Sequence, residues 1–165
     1  MLAEISYALG SADFLRQRKA ALSDRTLHLY ESARQLDKYA LVDLSGKKSA
    51  FAAPIRLKAL HAVGNDEFRG FMSYQSFTLA KKDRTVLRKW AAELLDKSAA
   101  SNKQLLSGYL LERTDDAATT VLLTWWQSAG DLENWLANPA YEPLRQFSAP
   151  GPQNEYFFDQ YHLAE

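Results

Sequence analysis

The chain has 165 residues, a length that suits one full domain or two small sub-domains with a real hydrophobic core. Its 20 basic and 20 acidic residues give a formal net charge of +0, so it lacks the basic field that nucleic acid or an anionic membrane would require. The sequence contains no cysteine, which excludes thiolate catalysis, disulfides and cysteine-ligated zinc or iron–sulfur sites.

The chain start and the apolar runs predict where the protein works. The first residues carry no basic segment followed by a long apolar run, so no signal peptide is expected. No apolar run approaches the roughly 20 residues that a membrane-spanning helix needs. We therefore expect a cytoplasmic protein with neither a membrane span nor a nucleic-acid partner.

The first third of the chain predicts a strand, a helix and then further strands. Ser11 is the expected N-cap of the helix, because its hydroxyl can accept from a free amide of the first turn. Pro54 is expected near the start of the last strand, since proline cannot donate to a sheet ladder. The predicted strands are residues 2–9, 26–30, 39–44 and an extended run after Pro54 that ends near residue 63. Gly64 opens the best candidate boundary, which divides the chain into residues 1–65 and 66–165.

The remaining residues give a clearer pattern. A helix is expected from an N-cap at Asp83 to about residue 97, and a second helix is expected after Ser128. The second helix should stop at Asn138, because the residue before a proline is disfavoured in the helical region. The predicted strands are residues 68–78, 104–113, 119–126 and 155–163.

This order of elements is βαββαβ, the ferredoxin-like plan of an α+β protein. It puts both helices on one face of a four-stranded antiparallel sheet, so the other face needs a cover. Residues of both parities are apolar in these strands, as in Trp125 and Trp126, which we expect to be packing residues on opposite faces. The simplest cover is a second copy of the sheet. The sequence therefore predicts a homodimer that closes an α+β barrel, with residues 1–65 as a small α/β N-terminal extension.

Residues 123–141, LTWWQSAGDLENWLANPAY, resemble the strand–helix signature of the antibiotic-biosynthesis-monooxygenase superfamily. Its members are dimeric α+β barrels that include haem-degrading monooxygenases and cofactor-free oxygenases. Residues 5–15, ISYALGSADFL, and residues 155–165, EYFFDQYHLAE, resemble a longer Gram-positive subgroup. That subgroup holds N-terminally extended haem-degrading monooxygenases and the target of RNAIII-activating protein, which is assigned signalling or stress roles.

The resemblance implies where an active site would lie. In the haem-degrading relatives an Asn on the first barrel strand, a Trp on the second helix and a His ten residues after that Trp form the site. Trp135 matches the Trp, but Arg145 stands where the His is expected. A guanidinium has no free lone pair for iron, whereas haem needs an axial donor such as imidazole. The Asn position falls on Tyr74 or Gln75.

Each candidate residue has an alternative structural role. Trp135 either lines a cavity between its helix and the sheet or packs in the core. Arg145 either pairs with Glu142 on the surface or holds a ligand carboxylate or phenolate. Tyr74 and Tyr109 either bind a ligand inside the barrel or fill it.

Histidine offers one weak candidate for a haem ligand. His162 is on the last predicted strand beside aromatic residues, and a lone histidine in a strand is more often a surface or hydrogen-bonded residue.

The sequence thus predicts a barrel protein that binds a small apolar or aromatic ligand, with Trp135, Gln75 and Arg145 as catalytic candidates and Tyr74, Tyr109 and Trp135 as ligand-binding candidates. It is a candidate monooxygenase that needs no cofactor. Two alternatives stay open: a haem-degrading or haem-binding monooxygenase with altered ligation, and a non-catalytic signalling or stress protein.

Overall fold

A computed structural model describes residues 1–149, 151–152 and 154–164. These residues include eight β-strands: β1 Glu4–Gly10, β2 Leu27–Ser32, β3 Tyr39–Asp43, β4 Ile55–Gly64, β5 Phe71–Thr78, β6 Leu105–Arg113, β7 Asp116–Trp126 and β8 Glu155–Leu163. Four α-helices accompany them: α1 Ala12–Ala21, α2 Lys81–Ser101, α3 Ala129–Ala137 and the single turn α4 Glu142–Arg145. Within this described part, none of the helices is both long and apolar enough to cross a membrane.

The eight strands form one closed antiparallel barrel in the order β1-β3-β2-β8-β5-β7-β6-β4. The strands β5 to β8, with α2 and α3, have the predicted βαββαβ order, and the α+β class and the barrel are confirmed. The cover of the second sheet face differs from the prediction. It comes from β1 to β4 of the same chain, which join the other half through β2–β8 and β4–β6 pairing. A second copy is not needed to close the barrel, and the homodimer itself stays a prediction.

The helix starts follow local capping chemistry in two cases and not in a third. Ser11 Oγ accepts from the amide of Phe14, and Ser128 Oγ accepts from the amide of Asp131, as expected for N-caps. The predicted cap at Asp83 is wrong, because α2 begins two residues earlier at Lys81 without a side-chain cap. The Asp83 side chain instead lies in the first turn of the helix, where its negative charge interacts favourably with the positive end of the helix dipole.

Apolar side chains fill both sides of the barrel wall. The interior cluster draws residues from all eight strands and includes Trp125, whose Nε1 donates to Tyr30 Oη at 3.0 Å. The outer face of the second half packs under α2 and α3 and includes Trp126, whose Nε1 donates to Thr124 Oγ1 at 2.8 Å. Both tryptophans are fully buried, which confirms that they are packing residues on opposite faces. A third cluster lies under α1 on the outside of the first half.

The connection between β4 and β5 covers one end of the barrel. Tyr30 Oη donates to the carbonyl of Phe68 at 2.8 Å, and Tyr109 Oη donates to Asp66 Oδ1 at 2.5 Å. Ser107 Oγ donates to the carbonyl of Glu67 at 3.0 Å. These bonds tie the connection to two strands, β2 and β6. The opposite end of the barrel, next to Leu9 and Phe157, has a surface pocket.

Candidate functional site

Gln75 lies on the outer face of β5, beneath the chain that follows α3. Its Oε1 accepts from Tyr141 Oη at 2.6 Å and from Tyr156 Oη at 2.9 Å. The side chain is fully buried, and its Nε2 has no hydrogen-bond partner among the described residues. Burial raises the pKa of Tyr141 well above its ordinary value, so this hydroxyl stays protonated as a donor. The amide oxygen is therefore fully committed to two tyrosines.

Trp135 packs against rings on two sides. Its ring centroid lies 5.1 Å from that of Trp126 and 5.0 Å from that of Tyr141. Its Nε1 donates to Ser98 Oγ on α2 at 2.9 Å, and only 5% of the residue is exposed. The exposed fraction borders a shallow depression of about 260 Å³ beside the end of α2. Tyr141 thus occupies the space between α3 and the sheet where the cavity-lining alternative for Trp135 would place a cavity.

Arg145 lies at the edge of this cluster. Its guanidinium donates to the Glu142 carboxylate and to the carbonyl of Leu136, and it lies 5.8 Å from the centroid of the Tyr141 ring. The side chain is 38% exposed and borders an open groove of about 1050 Å³ between α2 and residues 139–146. Trp90 forms part of the groove wall and packs on Phe147, with 6.1 Å between the ring centroids. Gln75, Trp135 and Arg145 are therefore close together, but around a tyrosine rather than around a cavity.

The donor set at this cluster does not fit a histidine-ligated haem. Arg145 has no lone pair for iron, and the oxygen of Gln75 is occupied by two tyrosine hydroxyls. His162 lies on the outer face of β8 beside β2, half exposed and 3.7 Å from a carboxylate oxygen of Glu31, so it is not under α3. Among the described residues there is no group of three or more His, Asp or Glu side chains that could hold a metal ion.

The other two candidates, Tyr74 and Tyr109, are inside the barrel and have different surroundings. Tyr109 is fully buried, accepts from the amide of Leu2 at 2.8 Å and packs on Trp125 at 6.3 Å between ring centroids. It borders the covered end and contacts none of the pockets described above. Tyr74 points to the open end, where its Oη lies 2.7 Å from Tyr7 Oη.

A pocket of about 220 Å³ lies at this open end, and we call it the barrel-end pocket. Its lining residues come from both halves of the barrel: Tyr7, Leu9, Lys38, Tyr74, Ser76, Arg113, Phe157 and Tyr161. Leu9 and Phe157 are 48% and 42% exposed, so the rim of the pocket presents two large apolar side chains to solvent. Three tyrosines of the lining also border a small void of about 10 Å³ deeper in the barrel. The pocket therefore runs from an apolar rim to a floor of tyrosine hydroxyls.

Two cations lie in the wall of the barrel-end pocket. Lys38 Nζ donates to Asp159 Oδ2 at 2.8 Å and lies 4.7 Å from the centroid of the Phe157 ring. Arg113 donates from Nε and Nη2 to the two carboxylate oxygens of Asp115 at 2.9 and 2.8 Å. Both carboxylates lie outside the lining of the pocket.

Burial controls the protonation of the tyrosines in the pocket. Desolvation raises the pKa values of Tyr7, Tyr74 and Tyr161 above the ordinary range of a phenol. Their hydroxyls are neutral at physiological pH and keep their protons to donate.

The sequence did not single out four residues that shape these two regions: Tyr7, Lys38, Tyr141 and Phe157. Tyr141 ends the LTWWQSAGDLENWLANPAY stretch, so its place in the resemblance was a usable signal. Lys38 and Phe157 carried no local signal, because they meet only when β8 pairs with β2.

Comparison of the fold with solved structures identifies its class. The chain has the fold of proteins related to antibiotic biosynthesis monooxygenases, and the predicted resemblance is confirmed at the level of fold. A Listeria monocytogenes ferredoxin-fold protein described as related to those monooxygenases is 14% identical, with a TM-score of 0.78 over 98% of this chain and 94% of that one.

Two further structures with defined roles match as well. A major regulator of staphylococcal pathogenesis is 13% identical, with a TM-score of 0.80 over 98% of this chain and 99% of that one. A haem-degrading enzyme of Listeria monocytogenes is 13% identical, with a TM-score of 0.75 over 96% of this chain and 98% of that one. No protein-family model matches the chain, and no curated protein does. At these identities the likeness establishes the fold.

Proposed function

We propose that the protein binds a small apolar or aromatic molecule in the barrel-end pocket. The observation that carries this proposal is an apolar rim with exposed Leu9 and Phe157 above a hydroxyl pair formed by Tyr7 and Tyr74. Ligand sites combine mostly apolar and aromatic walls with a few convergent polar groups. Eight-stranded barrels have an interior that either fills with side chains or holds one small ligand.

The larger groove beside α2 is a weaker candidate for the ligand site. It is open to solvent, and its charged lining residues, Glu93, Lys97, Glu142 and Arg145, cancel in charge. We keep this groove as the alternative location that the experiment distinguishes.

Binding without turnover is the activity that the barrel-end pocket supports best. A cofactor-free oxygenation requires a base that removes a proton from the substrate. The tyrosines of the pocket have raised pKa values and are poor bases at neutral pH. We further propose that haem is not the cofactor, because Arg145 supplies no axial donor. A non-catalytic signalling or stress role remains the alternative to enzyme action, and saturable binding without product formation would favour it.

The test uses ethylbenzene as a minimal aromatic probe and follows backbone amide chemical shifts by NMR. We expect saturable shifts at Leu9, Ser76 and Phe157. Leu9→Trp should abolish them by filling the mouth, and Leu36→Trp is the matched control, since Leu36 is 94% exposed on the β2–β3 hairpin outside the pocket. Ala140→Trp fills the groove beside α2 and should leave binding unchanged. Shifts confined to residues 90–97 and 139–146 would move the ligand site to the groove.

A further inference from the structure

The spare hydrogen-bonding groups of the barrel-end pocket are donors. The Tyr7 and Tyr74 hydroxyls carry two protons and share a single hydrogen bond at 2.7 Å, so one proton has no acceptor among the described residues. Lys38 donates to a single carboxylate, Asp159, which leaves two of its three ammonium protons for other acceptors. Arg113 uses Nε and Nη2 on Asp115, and its Nη1 makes no hydrogen bond to a described residue.

The charges of the lining agree with these donors. Among the described residues that line the pocket, the two that carry charge are Lys38 and Arg113, and both are cations. The two cations differ in how firmly their carboxylate partners hold them. Asp159 is fully buried, where it also accepts from Ser32 Oγ at 2.8 Å, so its pairing with Lys38 is fixed. The side chain of Asp115 is 64% exposed, and an exposed ion pair contributes little, so Arg113 can turn to a second acceptor at small cost.

The walls next to the cations are aromatic. The ring centroids of Tyr74 and Phe157 lie 6.1 Å apart in an edge-to-face arrangement, and Lys38 Nζ lies 5.8 Å from the centroid of the Tyr161 ring. The volume of about 220 Å³ suits a single ring with a short substituent. A ligand that satisfies both features has a flat apolar body and one group that only accepts hydrogen bonds.

We propose that the ligand of the barrel-end pocket is a small single-ring aromatic carboxylate, with its carboxylate facing Arg113 and the Tyr7–Tyr74 hydroxyl pair. A carboxylate is acceptor-only and forms strong charge-assisted bonds with a guanidinium. Its ring lies between Phe157 and Leu9. This inference rests on the proposed function, since it names the class of molecule that the same pocket selects.

Three probes of matched shape test the class: benzoate, acetophenone and ethylbenzene. Each is titrated by NMR into the full chain at neutral pH and constant ionic strength. We expect benzoate to bind roughly tenfold or more tightly than ethylbenzene, with acetophenone between them, because charge-assisted bonds are the stronger ones. The shifts should include Arg113, Ser76 and Phe157 for all three probes.

Two variants separate the contribution of the carboxylate from that of the ring. Arg113→Gln and Tyr74→Phe should each weaken benzoate about fivefold or more while leaving ethylbenzene unchanged. Arg69→Gln is the matched control, because Arg69 pairs with exposed Glu67 in the connection that covers the other end of the barrel. Amide spectra of each variant verify folding, and Tyr7→Phe removes the other hydroxyl of the pair if Tyr74→Phe loses the fold.

The outcomes distinguish the two proposals. Equal affinity for benzoate and ethylbenzene, or benzoate affinity unchanged in both Arg113→Gln and Tyr74→Phe, overturns the carboxylate inference and leaves the proposed function intact. Failure of all three probes to give saturable shifts at the barrel end overturns both proposals.

Discussion

Trp135→Phe tests whether the cluster under α3 is packed core, as its contacts indicate. The substitution keeps one six-membered ring, removes the atoms of the five-membered ring and deletes the Nε1 donor to Ser98. The lost hydrogen bond costs about 1 kcal/mol, and it leaves Ser98 Oγ buried without that donor. The missing volume against Trp126 and Tyr141 adds roughly 1 to 2 kcal/mol, since complete truncation of a buried aromatic costs about 3 to 5 kcal/mol. We expect a total loss of about 2 to 3 kcal/mol in the free energy of unfolding.

Urea unfolding followed by circular dichroism measures this loss, and thermal unfolding should show a decrease in Tm of roughly 5 to 10 °C. Trp90→Phe is the matched control, because Trp90 is only partly buried and lies at the groove wall, so its substitution should cost about 1 kcal/mol or less. A Trp135→Phe/Ser98→Ala double-mutant cycle isolates the hydrogen bond, with an expected coupling of about 1 kcal/mol. A loss below about 0.5 kcal/mol with no coupling would refute the packing argument and restore Trp135 as a pocket residue.

Three further outcomes are expected. Haem titration should give at most a broad Soret change, and ascorbate with oxygen should yield no biliverdin-like product. Arg145→His alone should not create tight haem binding, because Tyr141 and Tyr156 still cover Gln75. A sharp stoichiometric Soret band in the unmodified protein or in this variant would contradict the expectation. Buried tyrosines such as Tyr7, Tyr74 and Tyr141 have raised pKa values, so above pH of about 10 the unfolded chain releases phenol protons that the folded protein retains. Their contribution to the free energy of unfolding should therefore be constant below pH of about 10. Above that pH the free energy of unfolding should fall by about 1.4 kcal/mol per pH unit for each tyrosine that is protonated only in the folded state. Tyrosinate absorbance near 295 nm should rise together with unfolding. Full ionisation of the tyrosines in the folded protein would contradict the expected loss of stability at high pH. Light scattering tests the homodimer that the sequence predicts: we expect a mass of about twice 18.7 kDa, and a mass of 18.7 kDa would contradict the prediction.

The elements that sequence predicted well are those specified by local chemistry. The strand β8 at Glu155–Leu163 and the start of α3 after Ser128 agree with the structure, because alternation, helical periodicity and capping act over a few residues. The start of α2 was misplaced since Asp83 resembles a cap, yet the helix begins at Lys81 without one. The resemblance could have pointed to Tyr141, but the placement of its ring could not be predicted, because short helical turns after Asn138 decide it.

The barrel-end pocket could not be predicted from the sequence for a different reason, which is the relation between the two halves of the barrel. Both halves show the same order of neighbours: β2-β3-β1-β4 in the first and β6-β7-β5-β8 in the second. The first half has a helix between its first two strands, as the second half does, but residues 44–54 replace the helix that α3 supplies in the second half. The first half is therefore a ferredoxin-like unit without its second helix.

This relation determines where a site can form. The cluster of Gln75, Trp135 and Tyr141 depends on α3 and the turns after it, so it belongs to one half alone. The barrel-end pocket instead needs β1 and the β2–β3 hairpin of the first half together with β5, β6 and β8 of the second. Treating residues 1–65 as an extension removes Tyr7 and Lys38 from consideration, and with them the tyrosine pair and one of the two cations. Pairings such as Tyr30 with Leu163 join residues far apart in sequence, and periodicity carries no information on them. The pocket is a property of the closed barrel, and its ligand specificity depends on both halves.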